Sequence, residues 1–433
     1  TLQPQWVDLD PADGPVTEQL SERFDARHYR LDLTRAPLLH LACAEDKEQN
    51  RWVATLLFHH LILDHTALEV IQLEMQAFLL GTADRLGEPV HYRNYVAQAR
   101  LGVEPAVHEA FFRDMLGDID EPTLPFGMHD VQGDGRGIEE VHHPVDLQLS
   151  VRLRHQARQL GISAASLVHL AWALVLGKVS ATDDVVFGTV LLGRMQGGEG
   201  ADRALGMFIN TLPLRVSLDL HSVRRSVSNI HERLTALLAH EHASLALAQR
   251  CSGVAAPAPL FSALLNYRHS AAAESNESLQ AWDGMHVLGG SERTNYPLTL
   301  NVDDLGEGFK LTALAVASIG AQRICNYMQV ALEQLTEALE QAPQTPLGSL
   351  SILPDSEREQ LLHQWNASDS TFADDHLIHR AFEAWAVSNP SASAIRFENR
   401  RLTYGELNAQ ANRVAHRLIE LGIGPDDRVA ICV

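Results

Sequence analysis

The sequence predicts a mixed α/β (α+β) protein with more than one domain, and three observations carry that prediction. Apolar runs with strand character alternate with segments of helical period in both halves of the chain. The length of 433 residues exceeds the roughly 100–200 residues that one core usually organises. A late change in composition then opens a further segment. With 45% apolar and 21% charged residues, the chain has an ordinary globular balance.

The first elements lie between Pro37 and Phe58. Leu38 to Ala44 reads as a strand, Glu45 to Asn50 as a polar turn, and Arg51 to Phe58 as a second strand. That strand runs into His59-His60-Leu61-Ile62-Leu63-Asp64-His65. Thr66 then follows as the expected cap of a helix whose apolar positions Leu68, Ile71, Met75 and Phe78 recur until Gly81. The polar, glycine-rich stretch Asp130 to Gly137 reads as a connection between lobes. Beyond it the periodicity predicts helices over 147–160 and 164–176, a buried strand over 185–191, strands over 298–302 and 309–316, and a helix over 322–339. After Pro354 a charged stretch leads to a new amphipathic pattern near His379, and the chain closes on the strand-like run Arg428 to Val433. Those last residues, about 55, are too few for a complete α/β domain. The chain opens on Thr1 rather than Met and so reads as a piece of something longer.

Composition narrows the partners. The 55 acidic residues outnumber 34 basic ones, a net charge of −21, and this repels a phosphate backbone, so no nucleic acid partner is expected. Cys43, Cys251, Cys325 and Cys432 form no CxxC pair, which fits a reducing, cytoplasmic setting. No apolar stretch approaches the roughly 20 residues that span a bilayer, so no membrane partner is expected either.

Chemistry concentrates at 59–65. Adjacent histidines leaving a strand point in opposite directions, which leaves one working base. His60 and Asp64 lie four apart across a loop, close enough for the carboxylate to fix the turn or the imidazole. A neutral histidine held in this way can take a proton from an amine or hydroxyl as a carbonyl is attacked. The bland alternative for a histidine pair in an apolar run is core packing, and His142-His143, followed by Pro144 with no spaced aspartate, illustrates it. A metal reading of His59, His60, Asp64 and His65 is disfavoured, because the two histidines are adjacent rather than alternating along one strand face; no metal is expected.

His59 to Asp64 resembles the HHxxxDG motif of the condensation domains of nonribosomal peptide synthetases, and further matches follow in order. Tyr92 to Val96 resembles the YxDYAxW motif, with Asn94 for the aspartate and Gln98 where tryptophan is usual. Leu205 to Arg215 resembles GxFVNTxxxR nearly in full, and Phe261 to Arg268 and Thr294 to Leu298 resemble further family segments. Leu402 to Leu407, with Asn408 to Leu421 behind it, resembles the first core motif of adenylation domains.

This resemblance implies two chloramphenicol-acetyltransferase-like lobes in a V-shaped pseudo-dimer with a tunnel between them. Residues 1–130 would be the remainder of the N-terminal lobe, 138–350 the C-terminal lobe, 351–378 a linker, and 379–433 a truncated adenylation-domain start. By the same resemblance the activity is amide-bond formation between a carrier-bound donor thioester and a carrier-bound acceptor amine. By the same resemblance His60, with His59 beside it, is the implied catalytic residue that acts on the acceptor amine or positions it; Asp64 is a structural partner paired with an arginine, for which Arg194 is the candidate, with a solvated loop arginine as the alternative reading of Arg194. Asn210 would bond the phosphopantetheine arm or the other lobe, or serve as a turn residue. No cofactor is bound directly; phosphopantetheine arrives on upstream donor and downstream acceptor carrier domains, with the adenylation domain as a further partner. The glycine that usually ends the motif is His65 here, where glycine would permit a special backbone conformation or a close approach. That departure, with Asn94, keeps open a relative that docks a tailoring enzyme or dehydrates a carrier-bound residue. A coenzyme A-dependent acyltransferase is the further alternative.

Overall fold

The structure is a computed structural model that describes residues 2–25, 28–131, 133, 137–194, 200–218, 221–269, 282–289, 294–368 and 377–432. Two compact units divide the chain, the first ending at Asp355 and the second beginning at Ser356. Part of the predicted glycine-rich connection (Gln132 and Asp134 to Arg136) lies outside the described residues, as does part of the predicted linker.

The first unit opens with a three-stranded sheet of β1 (Gln5–Trp6), β2 (Leu39–Asp46) and β3 (Arg51–Phe58), in that order. β2 and β3 form the expected antiparallel hairpin, pairing Leu39 with Phe58 and Asp46 with Arg51. The Asp46 carboxylate accepts from Arg51 Nε at 2.8 Å and closes the turn. Short β1 adds in parallel beside Ala42 and Cys43. Helix α1 (Val16–Arg23) contributes Val16 and Leu20 to a small core with Val7, Phe24, Ala42, Ala44 and Val53.

Three helices carry the chain onward: α2 (His65–Leu79), α3 (Tyr92–Leu101) and α4 (Pro105–Leu116). Although α4 precedes the glycine-rich stretch, it places Phe112 and Leu116 in the larger core. That core belongs to a six-stranded sheet built from β4 (Ile138–Pro144), β5 (Asp184–Leu191), β6 (Asn210–Ser217), β7 (Ala263–His269), β8 (Leu298–Asp304) and β9 (Phe309–Val316), in the order β4-β9-β8-β7-β5-β6. The β5-β7 and β7-β8 neighbours are parallel and the rest antiparallel.

Helices α5 (Leu147–Leu160), α6 (Ala164–Ser180), α7 (Val223–Leu238), α8 (Leu245–Arg250) and α9 (Ala321–Gln341) accompany this sheet. α5 ends at Gly161, whose left-handed φ of 67° supplies the expected stop. In α6 every residue from Ser166 to Gly177 is buried, as an all-round apolar helix requires. The remaining predicted strands and helices are found within a few residues of their expected ends.

In the second unit α10 (Ile378–Ser388) packs with α11 (Tyr404–Glu420), beside the hairpin of β10 (Ser393–Phe397) and β11 (Arg400–Thr403). Thr403 and Glu406 form a reciprocal capping box at the start of α11. This explains the Leu402 to Leu407 motif locally. The strand expected at the end of the chain is not formed among the described residues: Arg428 to Cys432 has β character in sequence, but a strand exists only by pairing, and no described strand pairs with it.

Candidate active site

The histidine loop begins where β3 stops. Ile62 N–H donates to the His59 carbonyl at 3.0 Å, so the chain turns immediately after the strand. The strand-alternation argument therefore does not decide between the histidines; their hydrogen bonds do. His59 Nδ1 lies 3.1 Å from Leu61 N–H, which can only donate, so this nitrogen must be the acceptor. His60 Nδ1 lies 3.1 Å from the Leu63 carbonyl, which can only accept, so in neutral His60 the proton sits on Nδ1 and the lone pair on Nε2. The two imidazoles are thus opposite tautomers. The ring of Phe58 meets His60 edge-on at 5.6 Å and limits its tilt.

Asp64, rather than Thr66, caps α2. Its Oδ1 accepts from Ala67 N–H at 2.8 Å, because an aspartate with extended backbone reaches the third amide after it more directly than a threonine already inside the helix. The same oxygen accepts from Arg194 Nη2 at 2.8 Å, and Oδ2 accepts from Phe208 N–H at 3.0 Å. Asp64 is fully buried, and the Arg194 side chain is only 9% exposed. Arg194 donates in turn to the carbonyls of Ala201 and Ala204 and lies 3.9 Å over the Phe208 ring. One carboxylate therefore starts the helix that follows the histidine loop and ties that loop to the larger sheet's loops.

Two glycines make this approach possible. A Cβ at Gly193, where φ is 66°, would stand 1.9 Å from the Phe208 carbonyl oxygen, and one at Gly206 would meet the Tyr92 ring at 2.1 Å. Helix α3 closes the arrangement. Tyr92 donates to the Met207 carbonyl, and Tyr95 donates to the Phe208 carbonyl at 3.2 Å with its ring centroid 4.4 Å from that of Phe208. Burial pushes the Tyr95 phenol up to about 12, with the charges of Glu241 and Asp64 adding to the effect. On the far side of Tyr95 stands His242, ring centroids 5.2 Å apart, whose pKa burial lowers.

Asn210 stands at the start of β6 and turns its amide nitrogen into the larger lobe. Its Nδ2 donates to the carbonyls of Glu241 at 2.8 Å and Ala243 at 2.6 Å. Both amide protons are thereby spent inside the larger lobe, on two carbonyls of the segment between α7 and α8, and only the amide oxygen is left for other partners. It is also not a turn residue, since it begins β6. His65 is the first residue of α2 and is not among the residues with positive φ. The special conformation that glycine would permit is therefore not used here. Its imidazole is half exposed, with Nε2 3.4 Å from Glu69 Oε1.

The structure thus brings His59, His60, Asp64, His65 and Arg194 to one loop system and sets Asn210 behind it. Phe208, Tyr92, Tyr95 and Gly206 lie in the motif segments, and Gly193 directly precedes Arg194, but the sequence alone assigns no task to any of them; the glycine before Arg194 was the available signal. His242 carried no signal of its own. Among the described residues no three His, Cys, Asp or Glu side chains converge as metal ligands would. His142 lies away from this loop on β4, with Nδ1 2.9 Å from Thr312 Oγ1.

Comparison with known proteins assigns the two parts of the chain to families. The condensation domain family model matches residues 8–362, and the AMP-binding enzyme family model matches residues 382–433. Malpinin synthetase of Mortierella alpina is 49% identical over 98% of this chain, and malpibaldin synthetase of the same organism is 46% identical over 97%. The chain spans only 5% and 8% of those two proteins. Among solved structures, a four-domain nonribosomal peptide synthetase bound to AMP and glycine aligns with 99% of this chain and 34% of its own, at a TM-score of 0.76 and 16% identity. The first condensation domain of the calcium-dependent antibiotic synthetase covers 82% of this chain and 79% of its own, at a TM-score of 0.60 and 19% identity. The last two likenesses concern the fold. Members of this family work with carrier domains, whose phosphopantetheine bears the substrates. A family match over most of the chain, with the histidine loop, its buried Asp64–Arg194 pair and the AMP-binding segment in one order, shows that the chain belongs to the condensation domains of nonribosomal peptide synthetases and continues into an AMP-binding enzyme domain.

Proposed function

We propose that this domain joins a carrier-bound donor acyl or peptidyl thioester to the amine of a carrier-bound aminoacyl acceptor, with His60 as the base. The observation that supports it is the tautomer fixed by the Leu63 carbonyl, which puts the basic lone pair on Nε2. As the amine attacks the thioester carbonyl, Nε2 takes a proton from the ammonium-like intermediate. The C–N bond forms, the C–S bond breaks, and Nε2 hands the same proton to the departing sulfur, so the donor arm leaves as a thiol and His60 is neutral again. Holding both thioesters at one loop supplies the orientation, and no covalent enzyme intermediate is needed. His59, with Nδ1 engaged by Leu61, shapes the turn, and Asp64 and Arg194 hold it.

On this reading the partners are an upstream donor carrier domain and a downstream acceptor carrier domain. The adenylation domain that residues 382–433 enter supplies the acceptor, and the setting is cytoplasmic. A coenzyme A-dependent acyltransferase has no use for that AMP-binding segment.

The test uses the complete synthetase with both carriers loaded, following acceptor-bound product by intact mass. A mass gain equal to the donor acyl group is expected, and His60→Ala should slow it by about 100-fold or more. Absence of the gain in the unaltered protein, or loss of water from the bound chain, overturns the reading in favour of a docking or dehydrating relative.

A further inference from the structure

We infer that Tyr92 is a positioning residue for His60, its hydroxyl acting through one peptide group and the Asp64 carboxylate; this rests on the reading of His60 as the base. The Tyr92 hydroxyl donates to the Met207 carbonyl. The N–H of that same peptide group, which belongs to Phe208, donates to Asp64 Oδ2 at 3.0 Å. The Met207–Phe208 peptide is trans, so its carbonyl and its N–H point in opposite directions and one rigid plane joins the phenol to the carboxylate. A donor on the carbonyl also polarises the amide and strengthens the bond beyond it.

The far end of this chain is the imidazole. Asp64 directly follows Leu63, whose carbonyl accepts from His60 Nδ1 at 3.1 Å. Asp64 Oδ1 is shared between Arg194 Nη2 and Ala67 N–H, so the Phe208 amide on Oδ2 sets how the carboxylate is turned. Tyr92 senses that carboxylate: burial, then the charge of Asp64, push its phenol up against the opposing charge of Arg194. The ring itself is seated by packing that does not need the hydroxyl. Gly206 leaves room for it, the Phe208 ring meets it edge-on at 5.3 Å, and the Tyr95 ring lies at 5.4 Å. Removing the hydroxyl alone thus keeps the packing and frees the Met207–Phe208 peptide to turn.

The experiment compares the complete synthetase with its Tyr92→Phe variant by two readouts. Diethyl pyrocarbonate modifies neutral imidazoles, so the pH dependence of its reaction at His60, followed by peptide mass, gives the midpoint of that ring's titration without any condensation. The bond from Nδ1 to the Leu63 carbonyl favours the charged ring, and a displaced carbonyl favours it less, so the midpoint should fall by about half a pH unit or more in the variant. With both carriers loaded, kcat should fall about tenfold at an unchanged KM for the acceptor carrier, and the acid limb of the rate profile should move with the labelling midpoint. In an Asp64→Asn background, Tyr92→Phe should add less than about twofold, since the connection is already cut. A midpoint that does not move in Tyr92→Phe overturns the proposal, as does a full tenfold effect that persists without the Asp64 charge. Tyr92→Phe alone decides the case if the Asp64 variant does not fold. Absence of product from the unaltered protein rejects the condensation reading, while the labelling midpoint still decides whether Tyr92 positions the imidazole.

Discussion

At the residue scale the histidines divide into those that shape the loop after β3 and those kept neutral by packing. His169 is the clearest of the second kind: it is buried between the Ala165 carbonyl and Thr189 Oγ1, and burial lowers its pKa to about 4. The unfolded chain takes up this proton near pH 6.5, the folded chain only near pH 4. Its contribution to stability is therefore full above pH 6.5, is lost as the pH falls toward 4, and amounts to something on the order of 3 kcal/mol. Urea unfolding between pH 7 and 4 should show this slope, and His169→Gln should flatten it. An identical slope in the variant would refute the assignment. His108, His240 and His242, lowered by burial in the same direction, retain the remainder. His59 and His60 were legible in sequence because they stand in a short motif. Their opposite tautomers were not, since these depend on a carbonyl three residues on and an amide two residues on.

At the element scale, legibility follows how local the cause is. α6 and the β2-β3 hairpin were readable because apolar continuity and period-two alternation are properties of the segment alone. The start of α2 was misplaced by two residues, because Asp64 has two further partners that only the fold supplies. Strand β4, with its histidine pair, went unrecognised because its half-exposed pattern Ile138 to Pro144 gains its meaning from pairing with β9. The docking of α3 was equally nonlocal, since it depends on Gly206 leaving room for Tyr92. Gly206→Ala should lower stability by about 1–3 kcal/mol, read from the urea midpoint, through overpacking of a Cβ against the ring. Adding Tyr92→Ala should recover part of that loss, and a fully additive pair would show that the two do not touch.

At the scale of the whole first unit, the loop after the small sheet is tied to the loops beside β5 and β6 of the large one. Asp64 to Arg194 is a buried ion pair between residues 130 apart in sequence. Removing either partner alone leaves a buried charge without its counterion, which costs about 3–5 kcal/mol. Asp64→Ala and Arg194→Ala should each be strongly destabilising, while the double variant should fall well short of their sum; a coupling near zero would mean that the pair does not hold the sheets. Neither the pairing of two distant segments nor the burial of both groups can be read from one sequence. The order of the motifs along the chain, however, already announced which segments belong together.

The triple use of the Asp64 carboxylate also bears on how such domains can be recombined. A hybrid that joins the first part of one condensation domain to the second part of another, with its junction between α4 and β4, separates the aspartate from everything it binds across the domain. Asp64 and the tyrosines of α3 then come from one parent, and the loop around Gly193 and Arg194 and the segment from Gly206 to Phe208 from the other. They have to be matched as a set, because a single methyl group at either glycine runs into the Phe208 carbonyl or the Tyr92 ring, beside the amide that Asp64 binds.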